Sequence, residues 1–153
     1  MKTILVLGAG LSASSLLRYL SERLVSEHWM LKIGNTDIEP LTAKYGSNER
    51  IQLFKLDASD ADQRRAVIAH ADLVISMLPA KFHPEVARDC IDLRTDLITP
   101  SYVSPVMKAL HDEAVLKGVT ILNETGVDPG IDHMSAMKIM DEKREKGAML
   151  KAF

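Results

Sequence analysis

The first 24 residues combine a buried strand, a glycine-rich turn and an amphipathic helix. Residues 3–7 are apolar and β-branched, which is typical of a strand buried on both faces. Gly8, Gly10 and Ala13 follow with the spacing G-x-G-x-x-A, and leucines then recur at helical intervals between Leu16 and Leu24. This order predicts a dinucleotide site, in which N–H groups at the start of the helix bind a diphosphate. A simple strand–helix turn is the alternative that the motif alone leaves open.

The residues of this turn have separate predicted roles. Gly8 allows the tight turn, Gly10 lets the backbone approach a pyrophosphate without a Cβ, and Ala13 lets the helix pack close to the strand. Leu11 and Ser12 lie between them at the carboxyl end of the strand. We therefore assign all five residues to cofactor binding.

Strand-like and helix-like segments alternate along the rest of the chain. Further strands are predicted over residues 29–34, 51–56, 72–78, 96–99 and 119–122, with helices between them, one of which spans 105–117. This alternation predicts an α/β fold, a Rossmann-like doubly wound parallel sheet of about six strands with helices on both faces. The expected strand order is 3-2-1-4-5-6.

The carboxy-terminal residues differ from this alternating pattern. Residues 123–133 form a polar, glycine-rich loop, a helix is predicted from about Asp132 to Lys146, and residues 148–153 resemble the start of another strand. We therefore expect an NAD(P)-binding Rossmann domain over residues 1–131. Residues 132–153 are predicted to be a linking helix and the start of a truncated second domain for substrate binding or dimerisation.

Composition excludes several classes of protein. The 153 residues are 46% hydrophobic and 26% charged with a net charge of −2, which argues against binding to nucleic acid or to a membrane surface. No apolar run approaches the roughly 20 residues of a membrane span. The single cysteine, Cys90, is expected to be buried, and the five histidines are too scattered for a metal site. His83 is expected at the surface or rim. With no room for a signal peptide before the first strand, the expected location is cytoplasmic.

In open parallel sheets, ligands bind beyond the carboxyl ends of the strands. Candidate ligand-binding residues lie at this edge, at or just after the end of each predicted strand: Asn35, Thr36 and Asp37 for the second, Asp57 for the third, Leu78 and Pro79 for the fourth, Ser101 and Tyr102 for the fifth, and residues 124–132 for the sixth. The sequence predicts that they surround a common site.

The turn after the second strand leaves the choice between NAD and NADP open. A carboxylate there would bind the ribose 2′-hydroxyl and an arginine would bind a 2′-phosphate, but the turn begins with Asn35. Asp37 could contact the ribose, or it could be a solvated turn residue. Asp57 could bind near the adenine, or it could help the next helix begin. We assign Asn35, Thr36 and Asp57 to cofactor binding.

Ionisable and hydroxyl side chains after the last two strands are candidates for substrate binding. Ser101 and Tyr102 could donate to a polar substrate, or they could belong to the turn before the helix at Pro105. Glu124, Asp128, Asp132 and His133 could bind an ammonium group or transfer protons. Asp132 is expected to cap the following helix, whereas Asp128 has no evident helical role.

Three segments together resemble the saccharopine dehydrogenase family. Residues 74–79, 99–105 and 123–133 read VISMLP, TPSYVSP and NETGVDPGIDH, and Phe82 and His83 follow the first of them. The chain is most similar to the glutamate-forming saccharopine reductases. The resemblance implies an NAD(P)-dependent oxidoreductase of lysine metabolism that acts on the CH–NH group of saccharopine or a similar amino acid.

The resemblance also implies roles for individual residues. Leu78 and Pro79 correspond to contacts on the nicotinamide side of the cofactor, and the predicted substrate contacts are Ser101, Tyr102, Val127 and Asp128. Asp128 is the candidate catalytic residue, because a carboxylate would stabilise the cationic amine or iminium. The family favours NADP, but Thr36 stands where the reductases have an arginine, so NAD is not excluded.

The implied partners are a small amino-acid substrate and, through a second domain, a second copy of the chain. This fragment alone is expected to be inactive, because that domain would complete the substrate site. The alternative function is a non-catalytic domain that senses NAD(P).

Overall fold

A computed structural model of the chain describes residues 1–149 and 151. Six parallel strands form a single sheet in the order β3-β2-β1-β4-β5-β6, which confirms the predicted order. The strands are β1 Lys2–Leu7, β2 Trp29–Asn35, β3 Ile51–Lys55, β4 Leu73–Ser76, β5 Asp96–Ile98 and β6 Ile121–Leu122. The predicted α/β Rossmann-like fold is therefore confirmed.

Helices connect the strands and cover both faces of the sheet. They are α1 Ser14–Arg23, α2 Glu39–Tyr45, α3 Ala61–Ile68, α4 His83–Leu93, α5 Pro105–Lys108, α6 His111–Lys117 and α7 Ile131–Glu145. Short 3₁₀ turns at Leu11–Ala13 and Ala80–Phe82 precede α1 and α4. Asp60 begins α3 by accepting the N–H groups of Asp62 and Gln63.

Strand β1 divides the apolar interior into two cores because its side chains alternate between the faces of the sheet. Ile4 and Val6 face the core that contains buried residues of α1 and α2. Leu5 and Leu7 face the other core, which includes residues of α3, α4, α5 and α6. Cys90 is fully buried in this second core, as predicted. Burial raises the pKa of its thiol to about 12, so the thiol stays protonated at neutral pH.

A buried ion pair joins α3 to α4. The Arg64 guanidinium contacts the Asp89 carboxylate at 2.7 Å, and both residues are about 95% removed from solvent. Arg64 also donates to the Ala58 carbonyl, and Arg65 contacts the other Asp89 oxygen at 2.9 Å. These hydrogen bonds satisfy charges that would otherwise be costly to bury.

Some predicted element boundaries are wrong. The single helix predicted over residues 105–117 is split into α5 and α6, because the Leu110 N–H bonds to the Met107 carbonyl only three residues back. Both side chains stay in the core. Strand β6 has two residues rather than four. The strand predicted over residues 148–153 lies partly outside the described residues, and Ala148, Met149 and Lys151 are not in a strand.

Candidate functional site

A cleft of about 520 Å³ lies at the carboxyl edge of the sheet, beside the start of α1. It brings together seven of the ten residues that we assigned to cofactor binding: Gly8, Gly10, Ser12, Asn35, Thr36, Leu78 and Pro79. Gly34, Leu56, Ala58, Met77 and Phe82 complete its lining. The cleft therefore lies where strand order reverses between β1 and β4, the usual ligand position in this class of sheet.

The two glycines of the turn have different structural reasons to be glycine. Gly8 has φ +89°, and a Cβ there would lie 3.1 Å from the Met77 carbonyl group, so the fold itself requires glycine. Gly10 has φ −68°, which any residue adopts, and a Cβ there would meet no described atom within 4 Å. The protein does not need glycine at position 10 for its own packing. The position instead leaves space for a group that approaches the backbone, which fits the diphosphate of a dinucleotide.

The backbone beyond Gly10 offers hydrogen-bond donors to such a group. The Ala13 N–H donates to the Gly10 carbonyl, and within the described chain the Leu11 and Ser12 N–H groups have no partner. The Leu11 side chain is 96% exposed and does not line the cleft. Ala13 is fully buried against the sheet, where a larger side chain would push α1 away.

Asn35 connects the glycine turn to the loop after β2. Its Oδ1 accepts the Ala9 N–H at 3.0 Å, and its Nδ2 donates to the Asp37 carbonyl at 2.7 Å. The Gly8 N–H also donates to the Gly34 carbonyl at 2.8 Å. Asn35 therefore lines the cleft, but its amide is already used to hold the two loops together.

The residues described in the cleft lining include neither acidic nor basic side chains. Asp37 is turned to the start of α2, where Oδ1 accepts the Glu39 N–H at 3.1 Å. Asp57 is exposed outside the lining and accepts both the hydroxyl and the N–H of Ser59. These hydrogen bonds, that of the hydroxyl first, lower the pKa of the Asp57 carboxyl. Thr36 contributes a neutral hydroxyl to this lining from the loop after β2, where the sequence left the choice between NAD and NADP open.

Tyr102 and Asp128, which we predicted to contact substrate, are hydrogen-bonded to each other. The Tyr102 phenol donates to Asp128 Oδ1 across 26 residues of sequence. This bond raises the pKa of the phenol to about 12, and burial and the nearby acids Asp128, Asp132 and Glu124 act in the same direction. The phenol therefore stays protonated at neutral pH.

The loop that carries Asp128 is fixed by its own backbone. The Gly126 N–H donates to the Pro129 carbonyl, and the Ile131 and Asp132 N–H groups donate back to Gly126 and Val127. The Val127 side chain is 73% exposed. The prediction that Asp132 caps the following helix is wrong, because the residue that precedes α7 is Gly130, which has no side chain. Asp132 lies in the first turn of α7 instead, and its carboxylate accepts the Gly130 N–H at 2.9 Å. His133 also contacts that carboxylate at 3.0 Å.

Glu124 supports the segment around Tyr102. It has φ +60°, and its Oε1 accepts the Val103 N–H at 3.0 Å. The Glu124 N–H donates to the Ser101 carbonyl at 3.1 Å. The predicted ionisable cluster is therefore formed in the structure, but Glu124 and Asp132 make structural hydrogen bonds, whereas Tyr102 and Asp128 bond through their side chains to each other.

The prediction that His83 lies at the surface is wrong. Its side chain is buried, with 2% exposure, because the first turn of α4 places it beneath the loops that follow β4 and β5. Its Nδ1 is 3.0 Å from Ser76 Oγ and its Nε2 is 2.9 Å from Ser101 Oγ. One signal in the sequence points to this position, since His83 comes just before Pro84 at the predicted start of a helix and shortly after Leu78 and Pro79, which we assigned to cofactor binding.

The described residues lack two further kinds of feature. None of their helices combines the length and the apolar surface of a membrane span. No group of three or more histidine, cysteine or acidic side chains in the same residues could hold a metal ion.

Comparison with known proteins identifies relatives of the domain. Residues 4–122 match the family model described as the saccharopine dehydrogenase NADP-binding domain. The glutamate-forming, NADP-dependent saccharopine dehydrogenase of Saccharomyces cerevisiae is 44% identical over 100 residues, which cover 65% of this chain and 22% of that protein. The rat mitochondrial α-aminoadipic semialdehyde synthase is 35% identical over 153 residues, covering 99% of this chain and 16% of that protein.

A solved structure agrees with both matches. The apo form of the yeast saccharopine dehydrogenase superposes with a TM-score of 0.84 at 34% identity, covering 99% of this chain and 33% of that chain. The chain thus spans about a fifth of the length of the first curated relatives it matches. The predicted family resemblance is confirmed over most of the chain.

Proposed function

Because the chain belongs to the saccharopine dehydrogenase family, whose NADP-binding domain it matches over residues 4–122, we propose that it is the nucleotide-binding part of an oxidoreductase. The proposed reaction interconverts saccharopine, or a similar amino acid, with glutamate and an aldehyde by hydride transfer at the carbon of a secondary amine. Such a protein would work in lysine metabolism, as the family resemblance implies, and the names of its relatives contain saccharopine and α-aminoadipic semialdehyde.

The cleft residues fit NADP, the cofactor in the names of both the family model and the yeast relative. When bound, NADP accepts or supplies the hydride. The N–H groups of Leu11 and Ser12 would bind the diphosphate, Gly10 would leave room for it, and Thr36 would lie near the adenine ribose. Leu78 and Pro79 would line the nicotinamide end. Asp57 remains a proposed contact near the adenine.

The Tyr102–Asp128 pair is the observation that carries the proposed chemistry. An imine must be protonated before it accepts hydride, and the amine product is a cation, so a fixed carboxylate nearby stabilises both. Tyr102 holds one Asp128 oxygen, which leaves the other available to the substrate nitrogen. Ser101 and Val127 are the further proposed substrate contacts. A domain that only sensed NADP would need no carboxylate held in this way.

Turnover measured in the full-length protein that contains this chain tests the proposal. We expect Asp128→Asn to reduce kcat with saccharopine by about a hundredfold, because the amide cannot offset the positive charge. NADPH affinity of this chain, measured by fluorescence titration, should not change in Asp128→Asn.

Gly10→Val is the matched control for the cofactor side. The valine side chain would occupy the space beside the helix start, so the variant should fold normally and lose both NADPH affinity and turnover. Normal turnover in Asp128→Asn would contradict the proposed role. NADPH binding by the wild-type protein with no turnover of any amine or carbonyl pair would favour the sensing function instead.

Three organisational features belong to the same proposal. The domain boundary lies near residue 131, since none of the residues of α7 is buried. Any homodimer would form through a second domain beyond this boundary. A cytoplasmic location stays a prediction, to be tested by cell fractionation, and the rat relative carries the word mitochondrial in its name.

A further inference from the structure

Three side chains form a hydrogen-bonded chain from the interior of the sheet to the candidate substrate site, by which we mean the proposed substrate contacts Ser101, Tyr102, Val127 and Asp128. Ser76 ends β4 and is fully buried, His83 begins α4 with 2% exposure, and Ser101 follows β5 and is half-buried. The imidazole lies between the hydroxyls, 3.0 Å from Ser76 Oγ through Nδ1 and 2.9 Å from Ser101 Oγ through Nε2.

The burial of Ser76 determines which nitrogen of His83 carries the proton. Among the described residues, the imidazole Nδ1 is the one hydrogen-bond partner of Ser76 Oγ. If Nδ1 carried a proton, it would donate to Ser76, and the buried hydrogen of the serine hydroxyl would have no acceptor. The satisfied arrangement has Ser76 donating to an unprotonated Nδ1. The neutral ring then carries its proton on Nε2.

This tautomer determines the hydrogen-bonding role of Ser101. With its proton on Nε2, His83 donates to Ser101 Oγ, so the serine oxygen is the acceptor and its own hydrogen is not used by the ring. Ser101 can then donate that hydrogen to an acceptor at the site. The opposite tautomer would consume the Ser101 hydrogen and leave only lone pairs to face a ligand.

We propose that His83 is a positioning residue that keeps the Ser101 hydroxyl as a hydrogen-bond donor to a carboxylate of the substrate. This inference rests on the proposed function, in which the substrate is an amino acid with several carboxylates. His83 itself does not touch the substrate. The hydrogen bond from the buried Ser76 fixes the tautomer of His83, and that tautomer makes the Ser101 hydroxyl a donor rather than an acceptor towards a ligand.

Nitrogen-15 NMR of the histidine rings in this chain tests the tautomer directly. Long-range proton–nitrogen correlation spectra should show His83 with a protonated Nε2 and an unprotonated Nδ1 at neutral pH. A proton on Nδ1, or two tautomers in equal amounts, would overturn the proposal. This measurement needs neither substrate nor cofactor.

Two substitutions at position 83 test the roles of the two ring nitrogens separately. Gln places an amide N–H near the position of Nε2 and can still donate to Ser101, whereas Asn reaches only as far as Nδ1 and can still accept from Ser76. In the full-length protein that contains this chain, His83→Asn should raise KM for saccharopine roughly tenfold. His83→Gln should change this KM by less than about threefold. Neither should alter the NADPH dissociation constant.

The outcomes distinguish this proposal from the proposed function. An unchanged KM in His83→Asn, or equal increases in both variants, would overturn the role of His83. If the wild-type protein binds NADPH but does not turn over saccharopine, the proposed substrate is wrong, and the NMR result still decides whether His83 sets the polarity of Ser101.

Discussion

At the residue scale, Thr36 stands where cofactor choice is usually decided, and its hydroxyl neither attracts nor repels a phosphate strongly. Asp37, the one acid in the same turn, is held by the start of α2 and does not reach the cleft. The absence of a repelling carboxylate from the described lining is compatible with NADP. With no basic side chain in that lining either, affinity for the 2′-phosphate of NADP would depend on uncharged hydrogen-bond donors.

Thr36→Arg should therefore tighten NADPH binding about tenfold without affecting NADH, because a guanidinium binds the 2′-phosphate through two hydrogen bonds. Thr36→Asp is the matched control and should weaken NADPH binding by a similar factor. Fluorescence titration of both coenzymes into this chain measures the effect. Equal changes for NADH and NADPH would show that the loop had moved rather than gained or lost a phosphate contact.

The buried imidazole of His83 should also make the stability of the folded chain depend on pH. Burial lowers its pKa below the ordinary value of 6.5, so the unfolded chain binds a proton more readily than the folded one. The resulting stabilisation is complete above the unfolded pKa and is lost as the pH falls through the folded pKa.

Between about pH 7.5 and about pH 5, the free energy of unfolding should fall more in the wild-type chain than in His83→Gln. Urea unfolding at the two pH values measures the difference, and the variant removes this titration while leaving the other ionisable groups in place. An equal fall in both proteins would show that His83 does not titrate differently in the folded state.

Whether the role of a residue could be predicted from the sequence depends on how far along the chain its interaction partners lie. Gly8, Gly10 and Ala13 could be predicted because they belong to one local pattern of six residues. The turn itself requires Gly8, the packing of α1 requires a small residue at Ala13, and Gly10 leaves space beside the backbone. Asn35 could be placed at the cleft, but its bond to Ala9 joins two separate segments and has no local pattern. The burial of His83 depends on Ser76 and Ser101, 7 and 18 residues away, so its sequence neighbours could not reveal it.

At the element scale, the loop between β6 and α7 determines where Asp128 lies. Gly130 has φ +147°, and a Cβ there would lie 2.2 Å from the Gly126 carbonyl oxygen. No side chain fits at that distance, so the closed shape of the loop depends on glycine at this position. The Tyr102–Asp128 hydrogen bond depends on the same loop.

Gly130→Ala should open this loop and break the Tyr102–Asp128 contact. Gly118→Ala is the control, because Gly118 also has positive φ, +70°, but a Cβ there meets no described atom within 4 Å. The control should lose about 1 kcal/mol of stability and keep the loop. Backbone amide NMR should show shifts over residues 124–132 in Gly130→Ala alone. Unchanged shifts there would mean that the loop tolerates a side chain.

The order of the elements could be predicted more fully than their lengths. Apolar periodicity indicated every strand of the sheet and the parallel arrangement. It did not indicate the break between α5 and α6, because Met107 and Leu110 keep helical spacing while the backbone between them tightens. Strand β6 is short because only Ile121 and Leu122 pair with β5, whereas Val119 before them is buried in the core.

At the scale of the whole molecule, helices α1 to α6 each contribute buried side chains to one of the two cores. Helix α7 contributes none. Ile131, Met134 and Ile139 of α7 are each more than half exposed. Because apolar burial supplies most of the stabilisation of a domain, α7 contributes little to the folding of the sheet. This is the physical basis of the boundary that we place near residue 131.

A chain that ends at Ser135 should unfold at the same urea concentration as the whole chain. A chain that ends at Gly118 is the control and should be strongly destabilised, because it lacks β6 and the buried Val119. Circular dichroism during urea unfolding measures both. A marked loss of stability on removal of residues 136–153 would move the boundary towards the carboxyl terminus.

The bond between Asn35 and Ala9 has a practical meaning for protein engineering. Coenzyme preference is commonly redesigned by transplanting the segment after the second strand from another dehydrogenase. Here a transplant that replaced Asn35 would leave the Ala9 amide without its acceptor and would loosen the glycine turn that we propose binds the diphosphate. A successful graft must therefore begin after position 35, or bring an asparagine with it.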